Sequence, residues 1–173
     1  VASGSIISRY IFLKEFDKML RNMGAEKSLT EVETEIVDEF SMFDEWLDKY
    51  EYLIELGKSL KGYPEEKKTD DHLIKGCQSR VWLDWKYEEG KLWFNADSDA
   101  IITKGIISLL IRIYSGRTPQ EISSSDFSVV ERIGLKENLS PTRANGLVSM
   151  IETIRNAAAA QLCINATNMQ ALA

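Results

Sequence analysis

The stretch from Ala100 to Tyr114 constrains this chain most. It is apolar on nearly every side, with Ile101, Ile102, Ile106, Ile107, Leu109, Leu110 and Ile113. A helix that is hydrophobic all round must be buried by other elements. The rest of the chain therefore has to wrap it. Asp97-Ser98-Asp99, just ahead, offers three good N-cap residue types in a row, so the helix is expected to start there.

The wrapping elements are legible on both sides. Ile6 to Leu20 fits a short amphipathic helix stopped at Asn22-Met23-Gly24. Thr30-Glu31-Val32-Glu33 has the pattern of a capping box. Behind it Val32, Ile36, Phe40, Phe43, Leu47, Tyr50, Ile54 and Leu56 keep a helical stripe. That stripe predicts one long helix, or two in line, ending near Lys61-Gly62 with Gly62 at C′. Three short strands follow, His72–Lys75, Arg80–Tyr87 and Lys91–Ala96. In the second, Val81, Leu83, Trp85 and Tyr87 alternate with Trp82, Asp84 and Lys86, and Glu88-Glu89-Gly90 is the turn. Thr118-Pro119-Gln120-Glu121 is another capping box with proline at the first helical position, and Ser140-Pro141-Thr142 opens the last helix. Leu147, Met150, Ile151 and Ile154 give that helix its stripe, and the chain is expected to fray beyond Cys163. The predicted class is α+β, a small three-stranded antiparallel sheet packed against several helices.

Whole-chain properties exclude several functions. At 173 residues one domain is expected. A formal net charge of −6 argues against general nucleic-acid binding and suits a cytoplasmic protein that meets other proteins. Two cysteines, Cys77 and Cys163, are too few for a secreted disulfide framework. With His72 as the single histidine, no metal centre is expected. No run is long and apolar enough for a membrane span.

The chemistry narrows to Cys77, in Gly76-Cys77-Gln78-Ser79 between the first two strands. Gly76 permits tight backbone geometry, and Gln78 and Ser79 leave room for a partner. Lys75 and Arg80 flank the thiol, and nearby cations favour a thiolate. A buried structural cysteine is the competing reading. Asp97 and Asp99 are candidates for a carboxylate pair, but helix capping explains them more cheaply. Arg117 and Arg143 are the cations expected nearest a functional surface, against the reading of solvated or paired arginines. Gly57-Lys58-Ser59 lacks the upstream glycine of a phosphate loop, and there is no Cys-x-x-Cys pair. A thiol with no base, metal or resolving partner is poorly equipped for acyl transfer but can exchange sulfur.

From about Tyr50 to Arg155 the chain resembles the SufE family of sulfur-acceptor proteins. Five ordered blocks carry the resemblance. They are Tyr52-Leu53-Ile54-Glu55-Leu56-Gly57; Ile74 to Trp82 around Cys77; Ala96-Asp97-Ser98-Asp99-Ala100 leading to Lys104-Gly105-Ile106; Tyr114-Ser115-Gly116-Arg117-Thr118-Pro119; and Leu139-Ser140-Pro141-Thr142-Arg143-Ala144-Asn145-Gly146-Leu147. Asn138 stands where a histidine is common in the family. The resemblance implies a SufE-like domain over residues 30–160, an N-terminal extension over 1–29 and a tail over 161–173. It implies that Cys77 takes persulfide sulfur from a SufS-type cysteine desulfurase, stimulates that enzyme and relays sulfur to a SufBCD-type scaffold. The pyridoxal phosphate would belong to the desulfurase, and this chain would need no cofactor of its own. Gly76, Gln78, Ser79, Asp99, Arg117 and Arg143 would meet the partner, and a homodimer is compatible with the pattern. The bland alternative is a non-covalent activator of the desulfurase.

Overall fold

In the computed structural model, residues 8–9, 11–13, 15–16, 19 and 26–173 are described. The expected Ile6–Leu20 helix lies partly outside them, and the described residues from 8 to 19 are helical.

Helix α1 (Leu29–Ser41) starts at Ser28, whose hydroxyl accepts from the Glu31 N–H at 3.2 Å. The Glu31 carboxylate accepts from the Ser28 N–H at 2.6 Å in return. The capping box therefore lies two residues before the expected Thr30, which is inside the first turn. The long stripe is broken after Ser41 and resumes as α2 (Trp46–Lys58). Phe40 and Phe43 pack on Tyr52 with ring centroids 5.2 and 5.1 Å apart, so the two helices share one apolar face. Helix α2 stops at Lys58 with Ser59 as a right-handed C-cap, and Gly62 does not take the left-handed C′ geometry expected of it.

Strands β1 (Val81–Glu88) and β2 (Lys91–Ser98) form one antiparallel hairpin, paired from Val81 opposite Ser98 to Glu88 opposite Lys91. The expected third strand is absent. Asp70–His72 forms a 3-10 turn, and Gly76 turns the chain at φ +91°. Between them only the Leu73–Trp82 bridge and the Ile74 N–H to Val81 carbonyl bond (2.8 Å) remain. Four residues bounded by two turns are too few to extend a ladder. Strand β2 alternates cleanly, with Leu92, Phe94, Ala96 and Ser98 buried. Strand β1 does not: Val81, Trp82 and Leu83 are all buried, while Trp85 and Tyr87 are exposed. The base of the hairpin is covered on both faces, since Lys68 lies over the Trp82 ring and Leu73 bridges to its backbone. Its outer half runs past the core.

Helix α3 (Ile101–Tyr114) is the buried centre, with Ile107, Leu109, Leu110 and Ile113 fully shielded. It crosses α2 so closely that a Cβ on Gly105 would stand 2.1 Å from the Leu53 carbonyl oxygen. The crossing thus requires glycine at position 105. Helix α4 (Pro119–Ser124) has the expected Thr118–Glu121 capping box, and α5 (Val129–Arg132) is a single turn. Helix α6 (Pro141–Ala171) covers α3 and α4 through Leu147, Met150, Ile151 and Ile154. It does not fray beyond Cys163 but stays helical to Ala171, with neither glycine nor proline after Gly146 to interrupt it. No helix among the described residues is long and apolar enough to cross a membrane.

Candidate functional site

Cys77 is half-buried in the loop joining the 3-10 turn to β1. The loop lies on the first turns of α6. The Cys77 S–H donates to the Gly146 carbonyl at 3.6 Å. A Cβ at position 146 would stand 3.4 Å from the sulfur, so the missing side chain is the space the thiol faces. Gly76 lies as close to the next turn, its position for a Cβ only 2.5 Å from the Ser149 hydroxyl. With φ at +91°, position 76 also favours glycine for its backbone.

Burial pushes the Cys77 thiol above its ordinary value, and no cation offsets it. Lys75 and Arg80 flank the thiol in sequence but do not activate it. At neutral pH the sulfur is a protonated thiol held on a carbonyl. His72 makes no hydrogen bond to the thiol among the described residues; its Nδ1 lies 3.2 Å from the Thr69 hydroxyl within its own turn.

Asp99 fastens the far end of the loop. Its carboxylate accepts from the Arg80 N–H at 3.0 Å, and its own N–H donates to the Arg80 carbonyl at 3.2 Å. Ser98 adds a hydroxyl bond to the same carbonyl at 2.8 Å. Asp97 faces away, to Lys68 at 3.0 Å and Lys104 at 2.8 Å. Burial alone would raise its carboxyl, but those lysines hold it below the usual range. The Asp97-Ser98-Asp99 run therefore does not cap α3 by side chains, and its two carboxylates do not act as a pair. Strand β2 extends through Ser98 and takes Asp97 and Ser98, while the Asp99 carboxylate is spent on the Arg80 N–H.

The remaining sequence-predicted residues divide. Gln78 is exposed and Ser79 half-buried beside Cys77. Arg143 is exposed one turn before Gly146 on α6, and with Lys75 and Arg80 it makes no ion pair among the described residues. Lys75 and Arg80 thus bring positive charge to the ends of the thiol loop, and Arg143 brings it to the start of α6. Arg117 is elsewhere. Its guanidinium donates to the Lys27 carbonyl at 2.7 Å and the Ile113 carbonyl at 3.3 Å. Its backbone pairs with Leu92, near the opposite end of the hairpin from Val81 and Ser98. Asn138 works inside its own loop, its amide donating to the Gly134 carbonyl at 2.8 Å. Gly146, which faces the thiol, lies in the last resemblance block without being expected as a site residue, and Ser149, which faces Gly76, lies in no block. The available signal was a glycine inside a helix, which costs about 1 kcal/mol and so points to a close neighbour.

Comparisons with known proteins show the family and the fold. Residues 34–158 match the family model described as SufE, Fe-S metabolism associated domain. A SufE-like protein of Rhizobium etli is 43% identical over 129 residues, covering 72% of this chain and 87% of its own. A SufE-like protein of Rhizobium meliloti is 41% identical over 133 residues, covering 74% and 95%. A solution structure of a hypothetical protein from Thermus thermophilus superposes with a TM-score of 0.64 at 18% identity, over 76% of this chain and 96% of that one. At that identity the superposition speaks to the fold.

Proposed function

This chain belongs to the SufE family, which is associated with Fe–S metabolism, and from that premise we propose that it is a sulfur acceptor working through Cys77. The observation that supports the reading is the thiol's placement. Cys77 rides a glycine-turned loop, half-shielded against Gly146, with one S–H···O bond to hold it and Lys75 and Arg80 at the ends of the loop. A thiol so placed is quiet at rest and is released by lifting one loop.

The transfer needs no cofactor on this chain. On docking, Cys77 loses its proton to a base of the partner or to water. The thiolate attacks the outer sulfur of the donor's cysteine persulfide. A new S–S bond forms at Cys77, the donor's S–S bond breaks, and its electron pair leaves with the donor cysteine as thiolate. No net oxidation occurs. The donor is a cysteine desulfurase of the SufS type, whose pyridoxal phosphate generates the persulfide, and a SufBCD-type scaffold then receives the sulfur. Emptying the donor cysteine stimulates the desulfurase. Lys75, Arg80 and Arg143 give the acidic chain a basic rim, suited to an acidic surface on the partner. The cytoplasm is the compartment where such an unpaired thiol persists reduced.

Desulfurase turnover with L-cysteine tests the reading. Native protein should raise it, and Cys77→Ser should compete with native protein while giving no stimulation. Full stimulation by Cys77→Ser would instead favour the non-covalent activator.

A further inference from the structure

We infer, on the sulfur-acceptor reading, that the Ser149 hydroxyl is the hydrogen-bond donor that holds the outer sulfur once Cys77 carries a persulfide. A hydroxyl side chain inside a helix commonly bonds a carbonyl one turn back. Thr34, Thr153 and Thr167 do so here, on the carbonyls of Thr30, Ser149 and Cys163 at 2.8, 2.8 and 3.0 Å. In the first turn of α6, Thr142 shares its hydroxyl with Ser140 at 3.4 Å. Ser149 differs. Its hydroxyl makes no hydrogen bond among the described residues, and its carbonyl alone is used, by Thr153. The side chain is half-buried rather than turned to solvent, and it lies against Gly76, the residue before Cys77.

The space around the thiol fits this cargo. The Cys77 sulfur stands 3.4 Å from where a Cβ on Gly146 would be, so a second sulfur has no room to enter α6 head-on. An S–S bond adds about 2 Å, and the outer sulfur has to lie along the helix surface beside the loop. Helical side chains lean back over the preceding turn. Ser149 therefore leans toward Gly146, whose carbonyl the empty thiol bonds. Sulfur arrives as Cys77–S–SH. The outer sulfur gives its proton to water, and the resulting Cys77–S–S⁻ accepts the Ser149 O–H; no bond to Ser149 other than this hydrogen bond forms. Hydrogen bonding to the charged form of a group favours that form. Ser149 thus favours the ionised persulfide, while the empty thiol, which donates to a carbonyl, is left as it was.

The test loads Cys77 without a desulfurase. In the full chain carrying Cys163→Ser, the Cys77 thiolate first displaces one half of an aryl disulfide. Hydrosulfide anion then attacks the Cys77 sulfur, the bond to the aryl sulfur breaks, and the aryl thiolate leaves with the electron pair, giving Cys77–S–SH. Iodoacetamide labelling from pH 5 to pH 10, read by peptide mass, gives the ionisation midpoint of the outer sulfur. The same titration of unloaded protein gives that of the thiol. Ser149→Ala should raise the loaded midpoint by about one pH unit, the scale of one hydrogen bond to an anion, and leave the unloaded midpoint in place. An unchanged loaded midpoint would overturn the role of Ser149. Equal shifts in both titrations would overturn it too, because they mark a loosened loop rather than a lost donor. Chemical loading bypasses the partner, so either failure leaves the sulfur-acceptor reading to its own test by desulfurase turnover.

Discussion

The proposed chemistry turns on the state of one sulfur. Burial raises the Cys77 thiol, so folding favours its protonated form. The stability this contributes is complete below the ordinary thiol pKa. It is lost as pH rises through the raised value, because the unfolded chain gives up its proton first. Native protein should therefore lose stability relative to Cys77→Ser above roughly pH 8.5. Denaturant midpoints across pH 7 to 10 would check this, and parallel curves would contradict it. The same shielding should make iodoacetamide label Cys77 more slowly than the exposed Cys163 at neutral pH. The cysteine itself was legible in the sequence, because glycine and small polar neighbours mark a turn. Its suppressed reactivity was not, since Lys75 and Arg80 suggested activation and only the fold shows that the sulfur faces Gly146 instead.

Among the elements, the first turns of α6 set how far the loop can close. Gly146→Ala should be tolerated, because its Cβ would meet the sulfur at an ordinary 3.4 Å contact. A larger side chain, as in Gly146→Leu, should lift the loop and speed alkylation of Cys77 at unchanged pH. Unchanged labelling of the leucine variant would mean that α6 does not gate the thiol. Gly76→Ala should be worse for stability, since it combines a 2.5 Å approach to Ser149 with a left-handed backbone. A loss of about 1–3 kcal/mol is expected from thermal or denaturant unfolding. The hairpin and the helix stripes could be read from periodicity, because period 2 and period 3.6 are local signals. Where helices stop was harder. The break after Ser41 and the helix running on past Cys163 depend on packing and chain continuity, which no single cap residue announces. The strand expected at His72–Lys75 was lost to turn chemistry on both sides.

For the whole molecule, the all-apolar α3 was the correct anchor, and the α+β class followed from what must cover it. At the α2–α3 crossing the two backbones meet closely, with Gly105 against Leu53. Gly105→Ala should destabilise the protein by about 1–3 kcal/mol despite alanine's better helix propensity, because the added carbon would meet the Leu53 backbone. For a domain of this size that lowers Tm by roughly 2–4 °C per kcal/mol, measurable by calorimetry. A Tm at or above the native value would show that the helices can part without cost. The thiol loop, by contrast, is fastened to this rigid body at Asp99 and rests on it at Gly146, the arrangement that the proposed sulfur relay would use. The most direct test is peptide-mapped mass after incubation with a purified SufS-type desulfurase, pyridoxal phosphate and L-cysteine. The account predicts a gain of about 32 mass units on the Cys77 peptide, one sulfur atom delivered by exchange, and none on Cys77→Ser. Added sulfur on the Cys163 peptide alone, or on the Cys77→Ser chain, would contradict it.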